Sequence, residues 1–518
     1  MARFRVVSKH QVSGWRFLLR RIEHALVRRD VSMRDDPGRG RSTALAVGFA
    51  LACVGVAGAA VLGFFSPKQS IGDAPIVADK DSGALYVNMG NRLYPALNLT
   101  SARLVTGTAG DPQRVGADEL AKLPRGPWVG IPGAPGRMIA SDNRDSSWTV
   151  CDRSRSGSAQ VDPDTGQPVA TRSPVHTTVL GAPLTVDDEA IRKLGEHEAR
   201  LLRNNDTIWL VYREGTSNVV RAMINLAESA VTLALGLDAT APILSASDGL
   251  IAAIPEVPPL RVPAIDGLGT TTTLSTGMTV QVGSVLTVAQ PGREAEYYLV
   301  SRSGVVRVSA VLAAMVRNAD ERGEISSQTV NSNLIATNLR PGTWPGTQRY
   351  PTRPVRLADT GADTVTCLSW ERLEGEPSAA ITLLVGRRLP LTTEEQRLPV
   401  DLVTAAPSQG KTADAAYLPR TSGRFIQVTG TEPGSALAES LWWISDSGVR
   451  YGIAADLGGT GSADPTLRAL GLGAPVLAPW SVVSLFAVGP TLSQRDARIQ
   501  HDGIPSNPSG AGFGEEQR

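Results

Sequence analysis

The chain has 518 residues, 51 lysines and arginines against 50 aspartates and glutamates, 42% hydrophobic residues and only 5% aromatic ones. A net charge of +1 leaves no electrostatic footprint for a nucleic-acid partner, and the length suggests two to four domains. Abundant glycine (52) and proline (35) favour a loop-rich region over a dense aromatic core.

Residues 1–42 carry eleven basic residues: Arg3, Arg5, Lys9, Arg16, Arg20, Arg21, Arg28, Arg29, Arg34, Arg39 and Arg41. Within them Trp15, Leu18, Ile22 and Leu26 recur at steps of three, four and four, one apolar stripe of a helix, with most of the arginines elsewhere. A basic amphipathic helix either lies on anionic membrane lipid or docks its stripe on a partner. Charge placement alone would not require the stripe, so docking on a cytoplasmic partner is the favoured reading.

Residues 43–65, TALAVGFALACVGVAGAAVLGFF, hold no formal charge. As a helix they would cover roughly 35 Å, enough for a hydrocarbon core of about 30 Å. The run is too long, and begins too far into the chain, for a secretory signal peptide. It is expected to be one transmembrane helix. Only Lys68 and Lys80 are basic within 66–90, so the positive-inside rule puts the N-terminus in the cytoplasm and the bulk of the chain outside. Small residues recur at four-residue steps (Ala44, Gly48, Ala52; Gly55, Ala59, Gly63), a pattern that allows close helix packing.

Four exterior segments share a hairpin signature, two apolar runs around a polar turn: ALYVNMGNRLYPAL (84–97), TIWLVYREGTSNVVRA (207–222), EYYLVSRSGVVRVSA (296–310) and SLWWISDSGVRYGIA (440–454). A helix-compatible stretch follows each: GADELAKL, AESAVTLALGL, VLAAMVRNA and TLRALGL. Two further segments, SSWTVCD leading to HTTVLGAPL and DTVTCLSWE leading to AAITLLVGRRLPL, each place a cysteine beside a tryptophan-containing strand. Cys151 and Cys367 are 216 residues apart, and Leu85 and Tyr298 of the first and third hairpins 213 apart. The matching spacings read as an internal duplication. On the oxidising side of the membrane a Cys151–Cys367 disulfide is the default, two separately buried thiols the alternative; Cys53 falls within the span.

Catalytic chemistry has little to work with. Of five histidines, His10 and His24 are cytoplasmic, and His176, His197 and His501 occur in no catalytic or metal-ligating pattern. Residues 405–412, AAPSQGKT, resemble a P-loop, with Gly410, Lys411 and Thr412 as candidate nucleotide-binding residues. Such a loop needs a preceding strand, for which LPVDLVT could serve, and a following helix whose N-terminus faces the phosphates. Ala405 replaces the first glycine, Pro407 removes an amide, and Pro419 breaks the following helix early.

QVSGWRFLLRRIEHALVRRD (11–30), DSGALYVNMGNRLYPALNLTSARL (81–104), PRGPWVGIPGAPG (124–136), SLWWISDSGVRYGI (440–453), LAPWSVVSLF (477–486) and GPTLSQRDA (489–497), with His501 and Asp502 beyond, resemble the EccB family, membrane components of the mycobacterial ESX (type VII) secretion system. The resemblance covers almost the whole chain. It implies a non-catalytic structural subunit of an inner-membrane complex containing the EccC motor ATPase, EccD, EccE, further EccB copies and the mycosin protease. Members have also been called ATPases, so an ATP-hydrolysing component is the alternative, with ATP the one cofactor to consider.

The expected fold is α+β. A cytoplasmic amphipathic helix (1–42) and a transmembrane helix (43–65) precede an elongated exterior of four hairpin-helix repeat units (66–137, 207–278, 279–345, 433–502). These surround a disulfide-linked central β domain in two parts (138–206, 346–432), and residues 503–518 form a disordered tail. The expected location is the inner membrane, single-pass, with most of the chain periplasmic.

Overall fold

The computed structural model describes residues 8–29, 37–64, 70–154, 159–161, 168–170, 174–214, 218–238, 240–275, 277–320, 327–403, 412–421, 423–455 and 464–503. The chain forms two compact units, Met1–Ser70 and Ile71–Arg518. The tail from 504 onward lies outside the described residues.

The first unit is helical. α1 (Lys9–Arg28) opens on a capping box: Ser8 Oγ accepts the Gln11 amide at 3.4 Å, and Gln11 Oε1 accepts the Ser8 amide at 3.1 Å. Arg29 closes it in the left-handed region, φ 56°, its N–H donating to the Ala25 carbonyl. α2 (Pro37–Phe64) runs for 28 residues, starting on a proline whose missing N–H costs a first helical turn nothing. Its described side chains, 43–59, are uncharged and exposed, and they cover roughly 25 Å at about 1.5 Å per residue. The rest of the expected 43–65 span lies outside the described side chains. Among the described residues no helix is long and apolar enough to cross a membrane.

The second unit contains one supersecondary pattern four times: an antiparallel three-stranded meander, a helix, a strand returning parallel beside the first, a second helix, and a chain segment parallel beside the third strand. In the first module the meander is Ile76–Asp79, Leu85–Met89 and Arg92–Pro95, with Gly90 and Asn91 both at positive φ in its two-residue turn. Helix Leu99–Thr106 leads to Gln113–Val115, parallel to the first strand. The second module comprises Glu198–Asn204, Thr207–Glu214 and Asn218–Ile224, then helix Ser229–Leu235, Leu244–Ser245, helix Asp248–Ala253 and Glu256–Leu260. The third starts at Val285–Val288 and ends at Leu339–Arg340; the fourth starts at Arg424–Thr429 and ends at Ala487–Val488.

The expected hairpins are the second and third strands of these meanders. The first strands add to them, and two, 198–204 and 424–429, lie in stretches that the sequence assigned to the central domain. An apolar run such as ARLLRN declares a strand but not its partner, which register alone decides.

The modules associate in pairs. Val231 and Leu235 of the second share a core with Val311, Leu312 and Met315 of the third, whereas Leu99 and Leu104 of the first pack with Phe425, Trp443 and Leu467 of the fourth.

Between the pairs runs a seven-stranded sheet, in order Ile191–Lys193, Ala380–Gly386, Val365–Arg372, Ser146–Arg153, His176–Leu180, Ala415–Tyr417, Val400–Asp401. The two cysteine strands lie side by side at its centre, antiparallel from Arg153↔Val365 through Cys151↔Cys367 and Trp148↔Trp370 to Ser146↔Arg372. Cys151 and Cys367 form a disulfide, their Cα atoms 4.0 Å apart. The edges are exchanged: 191–193, from the first half, pairs with 380–386 of the second, and 415–417, from the second, pairs with 176–180 of the first. Trp148, Val150, Leu368 and Trp370 fill the face that meets Val211, Leu250, Ile426 and Phe486, while the disulfide lies on the opposite face with Leu180, Leu384 and Tyr417.

Replacing both Cys151 and Cys367 by serine removes a cross-link closing a loop of 216 residues, which the chain-entropy account rates at about 5 kcal/mol. The eight-pair ladder remains. Urea denaturation should show a loss of up to that size with an unchanged far-UV circular dichroism spectrum; loss of the β signature would mean the ladder depends on the bond.

Candidate functional site

The candidate nucleotide loop falls largely on 404–411, outside the described residues, and includes Gly410 and Lys411; Thr412 is described. Its flanks are defined. Val400–Asp401 precedes it and Ala415–Tyr417 follows it, paired antiparallel as Val400↔Ala416 and Asp401↔Ala415. The stretch therefore joins two adjacent strands. At the exit the Ala413 amide donates to the Leu485 carbonyl and the Asp414 amide to the Thr177 carbonyl, so strand geometry begins at once. The helix expected after the loop is a strand, because ADAAY is captured by the free edge of 176–180. A phosphate cradle requires amides at a helix N-terminus there.

The exterior histidines are dispersed. His176 and His197 are exposed at strand ends, and the His501 Nε2 lies 2.9 Å from the Gly130 carbonyl. Among the described residues no group of three or more His, Cys, Asp or Glu could hold a metal ion.

The stripe on α1 is presented outward: Trp15 is 64% exposed and Leu26 77%, and Leu18 and Ile22 are exposed as well. Phe17 and Leu19, also exposed, broaden the apolar face beyond the four residues of the stripe. An open apolar face of this kind is the type of surface through which a helix meets a partner or a membrane.

Elsewhere polar chemistry is concentrated where modules join. Arg192 on the sheet edge grips Glu198 of the second module at 2.6 and 3.4 Å, Arg356 reaches the same carboxylate at 3.0 Å, and the Gly195 amide adds a bond of 2.9 Å. Burial alone would raise the Glu198 carboxyl, but these donors hold it below the usual glutamate range. Arg200 beside it is buried, its Nη2 donating to the Asp363 carbonyl, and burial lowers its guanidinium to about 10. A second joint forms at Asp152, next to the disulfide. Its Oδ1 accepts from Thr177 Oγ1 (2.8 Å) and Ser247 Oγ (2.9 Å), and its Oδ2 from the Ser247 amide (2.6 Å).

Each module also pairs an aromatic ring of its second strand with an arginine. Tyr86 has Arg125 at 5.4 Å, Trp209 has Arg221 at 4.2 Å and Tyr297 has Arg317 at 5.9 Å. In the fourth, Arg450 stands over both Trp442 (5.1 Å) and Trp480 (4.9 Å), and Trp480 is 42% exposed. The hairpin segments hold all four second-strand aromatics and two of their cations, Arg221 and Arg450, whereas Arg125, Arg317 and Trp480 come from outside the hairpins.

With strand geometry on both sides of 404–411, Lys411→Ala is expected to leave nucleotide hydrolysis by a purified complex containing this chain unchanged. A proportionate loss, with the circular dichroism spectrum preserved, would show the loop to be catalytic.

The family described as "Type VII secretion system ESX-1, transport TM domain B" matches residues 4–506. Relatives include the "ESX-3 secretion system ATPase EccB3" of Mycolicibacterium smegmatis, 38% identical over 513 residues, covering 98% of this chain and 93% of that protein. The "ESX-1 secretion system ATPase EccB1" of Mycobacterium tuberculosis is 34% identical, covering 98% and 97%. Among solved structures, a chain of an intact ESX-5 inner membrane complex is similar with a TM-score of 0.73 at 33% identity over 99% of both chains. The EccB3 dimer from the ESX-3 core complex gives 0.68 at 35% identity over 82% of this chain and all of that one. A match of this length, over a fold of four like modules around a disulfide-tied sheet, places the chain in the EccB family of type VII secretion proteins.

Proposed function

We infer that this chain is a structural subunit of a type VII secretion inner-membrane complex, working as a scaffold and not through a reaction of its own. The observation that carries the reading is its likeness, along 99% of its length, to a chain of an intact ESX-5 inner membrane complex. The internal geometry supports it. Charged and polar groups such as Arg192, Glu198 and Asp152 are consumed in joints between modules, which is what a body that must hold shape requires.

The anchor in this reading is the uncharged sequence stretch 43–65, whose length suits a membrane span, with the N-terminal segment in the cytoplasm and Ile71 onward outside. α1 docks its Trp15, Leu18, Ile22 and Leu26 face on cytoplasmic parts of the assembly, the EccC motor being the first candidate, with EccD, EccE and the mycosin protease as further neighbours and anionic lipid as a second surface for its arginines. The periplasmic modules meet other copies of the chain; the EccB3 of ESX-3 is itself seen as a dimer.

Replacing Trp15 and Leu18 together by aspartate tests the docking. Neither change alters the Ser8 cap or the uncharged run, so the helix and membrane insertion should persist. The native mass after gentle detergent extraction should fall from a large assembly to a partner-free species. Normal assembly of the double variant would refute docking through α1.

A further inference from the structure

Asp152 is the only acidic residue on the two central cysteine strands that faces the Trp148 side of the sheet, and it is buried. Its three donors come from two directions. Thr177 belongs to the neighbouring strand, and Ser247 caps helix Asp248–Ala253 of the second module, its Oγ also accepting the Leu250 amide at 3.0 Å. Thr177 is shared with a second carboxylate: Asp414 Oδ2 accepts the Thr177 amide at 2.7 Å while the Asp414 amide donates to the Thr177 carbonyl. One residue earlier, Ala413 is bonded to Leu485 in the fourth module. Leu485 in turn lies over Gly249 of the second module so closely that a β-carbon there would stand 2.8 Å from it. The central sheet, the second module and the fourth module thus converge within a few residues of one buried carboxylate.

We propose that Asp152 is a proton-controlled pin at this junction, so that acidification tightens the attachment of the second and fourth modules to the central sheet and neutral pH loosens it. The surroundings give the direction. The charged groups on the elements around it are Asp414 before strand 415–417, Asp248 on the capped helix, Arg153 on its own strand and His176 on the next. Asp248 is engaged by Asn204 Nδ2 at 2.7 Å, Arg153 and His176 are exposed, and among the described residues no cation forms an ion pair with Asp152. Burial pushes its carboxyl up from 3.8 to about 6, the Ser247 and Thr177 bonds pulling it partly back and Asp414 adding to the rise.

Linkage fixes the sign. The folded junction holds a proton that the opened one releases, so its stability is complete below about pH 4, falls as pH rises towards 6, and stays low above it. From pH 5 to pH 7.5 the opening equilibrium should rise about tenfold.

Hydrogen–deuterium exchange of the full-length chain in detergent, at steps from pH 5 to 8 and normalised for intrinsic rates, reads opening at 247–254 and 413–417. In the unmodified protein it should rise about tenfold and level off above about pH 7; a flat profile, or one still rising at pH 8, overturns the proposal. Asp152→Asn should exchange at both segments as the parent does at pH 5, independently of pH. A pH dependence that survives in this variant equally overturns it.

Discussion

The antiparallel ladder between Ser146–Arg153 and Val365–Arg372 is the contact on which the rest of the molecule depends. It joins residues more than two hundred positions apart, so closing it costs loop entropy that local contacts cannot repay. Three features offset that cost. The disulfide removes the same entropy from the unfolded chain. Trp148 and Trp370, directly opposite each other, are both buried on one face, with Phe486 edge-on to Trp148 at 5.9 Å. The exchanged edges then prevent the halves from parting as units, since each half ends hydrogen-bonded to the other.

From this sheet the modules follow as attachments. Each is a sheet with helices, too small to bury its own faces, and each resolves the deficit by helix contact with one other: second with third, first with fourth. Each pair then meets the Trp148 face of the sheet through one member, the second module with Leu250 and Ile251 and the fourth with Val482 and Phe486. Apolar burial gives these attachments strength without direction. Direction comes from the polar joints, where a bidentate Arg192–Glu198 pair or a three-donor Asp152 tolerates little displacement. Glycine at 249 permits the closest approach, between Leu485 of the fourth module and the helix of the second.

What the sequence made legible follows from the range of each signal. Hairpins and helices are local, and the four hairpins and the four helix stretches that follow them were readable from the sequence. GADELAKL contributes only a short second helix, Ala117–Leu120, while the first module's main helix is Leu99–Thr106, where Asn98 accepts the Ser101 amide as cap. The duplication was visible because two independent spacings agreed. The first strand of each meander escaped, since its run carries no turn signal tying it to the next strand, and the edge exchange left no local trace at all. The joints were invisible for a related reason. Asp152 stands in SSWTVCD without any signal of its own, and nothing there says that Ser247, nearly a hundred residues on, will donate to it.

The distribution of these joints bears on what the molecule can do. A catalytic centre gathers unsatisfied or poised groups around a space open to substrate. Here Glu198, Arg192 and Arg356 satisfy one another, and Asp152 is held by Thr177 and Ser247, at the roots of modules. Outward-facing chemistry is of another kind: the apolar face of α1 and the tryptophan–arginine sandwich of Trp442, Arg450 and Trp480. Aromatic and guanidinium groups in partly exposed positions are the residue types that carry binding energy between proteins. Interior charge spent on rigidity and exterior surface left to association are the two halves of a scaffold. A buried carboxylate at the point where the sheet and two modules meet gives such a scaffold one place where its rigidity answers to proton concentration.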